Sequence, residues 1–491
     1  MKLSISPKRL LTLLLAALFP LQLLACSAGS DPADTTASVA DTTTAAAETT
    51  VAETEPPTPY DTIGNTKYDG YTYTILNGPN PSKWVAQMIE IEETGEVLFD
   101  AVYQRNKIVE DKLGVVTKSV FMNDTATVAM QAVAANDDAY QTIMLRAEDA
   151  ASMSPKEYLI DFKTTGIDLE QPWFTQRTNQ VNEIGGKLYM ASSEMVATNL
   201  ANTYVVFYNE NLSTKLGTKP ADVYKMVLDG KWTIDKLAEM TKGAYKDLDG
   251  DNAPSWGDQY GYALWDSAEA MTALQYGMGQ GTGEIVNGEP KLTIVSERQG
   301  QIISKLNTMF TGTDNTRIAA LSGAGKGVRN LFAEGRALFC TVIMMHAYLG
   351  MRDMTDVYAA LPTPKLDEKQ EDYQCIGSSY FFMLPKTLKD AKKAANVLAA
   401  LSYEGYNIVY PTFWEITMKT KFSENPTIAS IYDLISESRT LDFGYMYGNT
   451  NKLRNVIKDC LDNKSDDYVS RYTAVQSATL EYMKEILKSY T

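Results

Sequence analysis

FAEGRALFCTVIMMHAYLG, residues 332–350, decides how the rest of the chain is arranged. Phe332 to Arg336 predicts the end of a helix, because Gly335 can take the positive φ that closes one. Ala337 to Ile343 is a run of small, aromatic and β-branched residues and predicts a short, wholly buried strand. A new helical turn is expected from Met344. A helix that stops on glycine and enters a buried strand this late in a chain predicts a return crossing into an earlier domain.

A chain of 491 residues is too long for one ordinary core and predicts two domains. Its net charge of −16 argues against nucleic acid, because phosphate binding needs Lys and Arg to release counterions. The same charge argues against electrostatic docking on anionic lipid. The single histidine, His346, removes most histidine-based zinc sites and leaves any Ser-His-Asp triad dependent on one residue. Cys340, Cys375 and Cys460 are odd in number and widely spaced, which predicts buried thiols rather than a disulfide framework.

The N-terminus carries Lys2, Lys8 and Arg9 ahead of an apolar run from Leu10 to Leu24. That run is short for a membrane span and suits the apolar region of a signal peptide. It ends in Leu23-Leu24-Ala25-Cys26, which resembles a bacterial lipobox in which Cys26 is lipidated and becomes the first residue. Ordinary secretion with a coincidental cysteine is the alternative. Residues 1–25 are therefore expected to be a lipoprotein signal peptide. Residues 26–62 follow as an acidic Ser/Thr/Ala/Pro tether, too poor in large apolar side chains to offset its chain entropy.

Beyond the tether, Tyr71–Leu76, Val115–Phe121 and Tyr140–Leu145 predict strands, with helices at Glu96–Leu113 and Val128–Ala135 between them. That alternation is the pattern of a parallel α/β sheet. Lys187–Met190 and Tyr204–Tyr208 predict further strands. A more helical region follows, opening at Trp232-Thr233, where Thr233 can cap and Trp232 can pack onto Leu237. Val357–Leu361 and Tyr380–Leu384 predict the last strands, and the chain from Asp390 to Thr491 is mostly helical.

Several stretches together resemble the extracellular solute-binding lipoproteins of bacterial ABC importers, of the carbohydrate type. They are FDAVYQRNKIVEDKLGV (99–115), VVFYNENL (205–212), GKWTIDKLAEMTKGAYKDLDGDNAPSWGDQYGYA (230–263), LFAEGRALF (331–339), LPTPKLDEKQEDY (361–373) and FFMLPKTLKDAKKAANVLAAL (381–401). The resemblance implies an α/β, two-lobed periplasmic-binding-protein-like fold of type II, with a hinge of several crossings and a helix-rich second lobe. It assigns 66–204 and 337–384 to the first lobe, and 205–336 and 385–491 to the second. It implies a monomeric, non-catalytic receptor on the outer face of the membrane, handing a sugar or oligosaccharide to a permease.

Sugar sites combine aromatic platforms with polar side chains that bond hydroxyls. On that basis Trp84, Trp265, Asp266 and Trp414 are candidate ligand contacts, with Trp414 placed near the hinge by the resemblance. His346 and Tyr348 are expected at the cleft rim after the return strand. Arg146 and Glu194 stand at expected strand ends. Trp232 is expected in the core as a helix staple. In DLDGDNAPSWGD, Asp247, Asp249, Asp251 and Asp258 fall at positions 1, 3, 5 and 12 of a twelve-residue loop, a spacing that suits a structural calcium ion. The loop departs from the EF-hand pattern at Gly250, at position 4, and in ending on Asp rather than Glu; an acidic surface turn is the alternative. No other cofactor is expected. A surface glycan-degrading enzyme using Asp266 with Glu269, or a peptide or signal receptor on the same fold, are the rival functions.

Overall fold

The computed structural model describes residues 58–78, 88–89, 92–150, 152–153, 155–317, 328–377, 380–418, 426–447 and 450–490. All of them lie in the unit Pro57–Thr491. Cys26 and Trp84 lie outside the described residues.

The described chain is mixed α/β with two five-stranded sheets. The first begins with β1 (Tyr71–Asn77), β2 (Val115–Phe121), β3 (Thr142–Arg146) and β4 (Leu159–Ile160). The second contains β5 (Tyr204–Asn209) and β6 (Tyr260–Leu264). A separate hairpin pairs β7 (Gly283–Val286) with β8 (Glu289–Leu292). Three more strands, β9 (Asn315–Arg317), β10 (Ala337–Ile343) and β11 (Tyr358–Leu361), complete the second sheet. After β12 (Cys375–Ile376), β13 (Tyr380–Pro385) returns to the first sheet, and β14 (Arg439–Thr440) lies parallel to β12. The sheet orders are β2-β1-β3-β13-β4 and β11-β5-β10-β6-β9.

The local signals produce these elements as expected. Helix Val97–Leu113 ends at Gly114 in the left-handed region, and β2 starts at the next residue. Ser296 and Asp390 cap the helices Glu297–Met309 and Ala391–Glu404 by accepting from the amides of Gln299 and Lys393. Trp232 is fully buried, its indole N–H donating to the Pro362 carbonyl at 2.9 Å. Lys187–Met190 is not a strand. It joins the fold through isolated bridges, Ile184 with Lys187 and Ala191 with Phe382.

The 332–350 stretch has the predicted local shape and a different address. Gly335 sits at φ +73°, and its amide and that of Arg336 bond back to Phe332 and Leu331 to close the helix. Every residue of β10 from Ala337 to Val342 is buried. Yet β10 does not re-enter the first sheet. It lies in the middle of the second, antiparallel to β5 and parallel to β6. The Arg336 carbonyl accepts from the Tyr260 amide at the start of β6, so the glycine turn stays within one sheet. A strand apolar on both faces needs a neighbour on either edge and cover above and below, and β5 and β6 supply the edges. The return to the first sheet is made later, by β13, which pairs antiparallel with β3. Helix Ala391–Glu404 then packs on helix Val97–Leu113 and on β13 of the first sheet, rather than with the second.

Candidate functional site: the carboxyl edge of the second sheet

Strands β10, β6 and β9 run parallel, so their carboxyl ends share one edge, where α/β sheets place ligands. That edge brings together Trp265 and Asp266 after β6, Arg317 at the end of β9, and His346 shortly after β10. The Trp265 and His346 rings lie 5.3 Å apart at 37°. Trp265 stays 38% exposed, unusual among the described indoles. Burial first, and the nearby Arg329 cation second, push the His346 imidazole down to about 4. The ring is therefore neutral at pH 7, and its buried Nδ1 has no hydrogen-bond partner.

Asp266 does not point free into this space. Its Oδ1 accepts from Nε and Nη2 of Arg317 at 3.0 and 2.5 Å, and Arg317 also holds Asp462. Together with Tyr260, Phe310 and Leu461 these groups border a cavity of about 430 Å³ beside the edge strand β9. Glu269 lies 3.8 Å from Arg454, which sits 3.7 Å over the Tyr445 ring. The Asp266–Glu269 pair is thus two separate ion pairs.

Three expected contacts are elsewhere. Trp414 is 1% exposed and stacked on Tyr432 at 4.4 Å and 7°; an indole with both neighbours of the core against it offers no platform. Tyr348 is buried, edge-on to Phe99 at 6.4 Å with Arg352 over its ring. Glu194 is buried and ion-paired with Arg439, with Thr175 donating at 3.4 Å. Arg146 remains at the carboxyl end of β3, its Nε donating to Asp149 at 3.0 Å and its side chain 39% exposed.

The two carboxyl edges meet at the crossings between the sheets. Thr203, one residue before β5, bridges antiparallel to Gly377, and its carbonyl accepts from Met344 just past β10. A Cβ at Gly377 would lie 2.3 Å from the Asn202 carbonyl oxygen, so only glycine lets the crossings run this close. On the first-sheet side, the Asn199 side chain bonds both the amide and the carbonyl of Tyr380, which is the register partner of Arg146. Glu194 and Arg439 stand beside this junction, paired with each other.

In the acidic loop, one carboxylate oxygen from each of Asp247, Asp249 and Asp258 lies within 4.8 Å of the others. Asp251 is not in the group; its Oδ1 accepts from the Ala253 amide. Asp258 is turned inward, accepting from the amides of Leu248 and Ser255 and from the Tyr245 hydroxyl.

Arg317, Arg329, Arg439 and Arg454 are the structural participants that sequence reasoning missed. Each is a single arginine in an unremarkable context, and only the fold gives it a neighbour.

The fold and the junction between its sheets define the class. The chain has the two-lobed fold of ABC-transporter solute-binding proteins. It is similar to the ABC substrate-binding protein Lmo0181 from Listeria monocytogenes in complex with cycloalternan, at 16% identity over 86% of this chain and 98% of that one, TM-score 0.50. It is also similar to the cyclic alpha-maltosyl-1,6-maltose binding protein from Arthrobacter globiformis, at 12% identity over 85% and 100%, TM-score 0.56. The GacH receptor of Streptomyces glaucescens, solved unliganded and with acarbose, matches at 13% identity over 86% and 100%, TM-score 0.52. No protein-family model and no curated protein matches the chain. No helix of the described residues is long and apolar enough to cross a membrane.

Proposed function

We propose that this chain is a lipid-anchored receptor on the outer face of the cell membrane, which captures a sugar or oligosaccharide between its lobes and delivers it to the permease of an ABC importer. The observation that carries the reading is the half-exposed Trp265 against neutral His346, set at the carboxyl edge of a sheet and next to the crossings. An indole face suits the apolar C–H face of a sugar, and an imidazole with a spare nitrogen suits a hydroxyl. Solved proteins of the same fold hold cycloalternan, acarbose, maltose or maltotetraose, which supports a carbohydrate here. The receptor is not an enzyme in this reading. Asp266 and Glu269 are each engaged by an arginine, so neither is poised as a free acid beside a base.

Cys26 would carry the lipid and the following acidic tether would hold the receptor off the surface. Calorimetry of the full chain against neutral oligosaccharides and peptides tests the ligand class. Heat from sugars, with weaker binding in Trp265→Ala, is expected; binding of peptides alone would overturn the reading. Radiolabelled palmitate retained by wild type and lost in Cys26→Ser checks the anchor.

The acidic loop is proposed to hold a structural calcium ion through Asp247, Asp249 and Asp258. All three offer hard oxygen donors, and the amides that orient them leave lone pairs for a cation. Chelator should lower the melting temperature of wild type and leave Asp249→Ala unmoved; identical wild-type curves with and without chelator would remove the site.

A further inference from the structure

We propose that the Trp265 platform takes an anionic carbohydrate, with Arg329 selecting a carboxylate or phosphate carried by the sugar. This rests on the sugar-receptor reading and narrows it.

Arg329 lies on helix Val328–Ala333, half-buried. Arg317, Arg336, Arg352 and Arg439 all hold carboxylates. The fully buried Arg105, with no carboxylate, is bonded to the carbonyls of Met88 and Met195. Arg329 has neither kind of partner among the described residues, and the group that feels its charge is His346. In a chain with 61 acids to 45 bases, this partly buried guanidinium has no carboxylate beside it among the described residues and can receive the anion of a ligand.

Gly350 shapes its course. A Cβ at Gly350 would stand 2.3 Å from Cδ and 2.5 Å from Nε of Arg329, so the missing side chain of Gly350 is what lets the arginine lie across the turn after His346. The three groups have complementary uses. Trp265 meets the face of a sugar ring, the neutral His346 ring backs the indole at 5.3 Å, and the planar fork of Arg329 meets two oxygens of a carboxylate or phosphate. The acids closest to Trp265 in the chain, Asp266 and Glu269, are each engaged by an arginine, which reduces their repulsion of an anion.

The test is calorimetry on the full chain with three probes of one size: a uronic-acid disaccharide, its neutral counterpart and a disaccharide phosphate. At least one acidic probe should bind ten-fold or more tighter than the neutral sugar, and the tighter acid names the source of the charge. Arg329→Gln should bring the acidic probe down to the neutral affinity, Arg329→Lys should keep part of the preference, and Gly350→Ala should reduce it by displacing the guanidinium. Neutral sugar bound as tightly as both acids, or a preference intact in Arg329→Gln, would overturn the assignment while leaving the receptor reading standing. Silence towards all three and towards a wider neutral panel would overturn the receptor reading and this inference with it.

Discussion

Replacing Arg439 by methionine should cost the protein about 3–5 kcal/mol, the usual penalty for stranding one charge of a buried pair. The structure sets that scale. The side chains of Glu194 and Arg439 are 2% and 9% exposed, and both Nη atoms of Arg439 face the Glu194 carboxylate. Arg439 Nε also donates to the Ser436 carbonyl at 3.2 Å, and Thr175 would remain to meet Glu194 at 3.4 Å. Most of the loss is therefore the burial of an unpaired carboxylate rather than the attraction itself. The double variant Glu194→Leu with Arg439→Met removes both charges and should recover most of it, giving a coupling of roughly 2 kcal/mol or more. Urea titration followed by both fluorescence and circular dichroism measures each variant, and coincident curves license the comparison. A single-variant loss under about 1 kcal/mol, or a double variant as unstable as the sum of its parts, would refute the reasoning. Because the pair stands beside the Thr203–Gly377 crossing, the same variants should also shift ligand affinity.

Two tryptophans should separate cleanly. Trp414→Ala should destabilise by about 3–5 kcal/mol through the cavity it leaves against Tyr432, whereas Trp265→Ala should leave the urea midpoint nearly unchanged and weaken sugar binding by on the order of 1 kcal/mol; the reverse pattern would move the platform to Trp414. The pH dependence of stability should show His346. Its folded value, depressed to about 4 by burial and then by Arg329, lies below its unfolded value near 6.5, so the unfolded chain binds the proton first and stability falls as pH drops from about 6.5 to about 4. The loss over that window should be about 3 kcal/mol, and an unaltered slope in His346→Gln, compared by urea midpoints at each pH, would count against it.

The strands and helices were largely legible because their signals are local. YVVFYN reads as a strand from its β-branched and aromatic residues alone, and Gly114 and Gly335 end helices because their backbone needs positive φ. The candidate site was legible only in part. Trp265 and Trp414 look alike in sequence, each an indole beside an acid, and burial alone assigns one to the surface and the other to the core. Glu194 reads as a polar group at a strand end, and nothing near it reveals an arginine 245 residues away.

Within residues 332–350, local signals were enough to specify a glycine-closed helix, a strand apolar on both faces and a turn carrying the chain's single histidine. These follow from φ, side-chain shape and periodicity over a few residues. Long-range pairing decided which sheet received that strand, since β10 pairs with residues more than seventy positions earlier in the chain. It also decided that Gly350 makes room for Arg329, and that Trp265 meets His346. Such contacts depend on pairing and packing between distant segments, and a linear pattern carries no record of them.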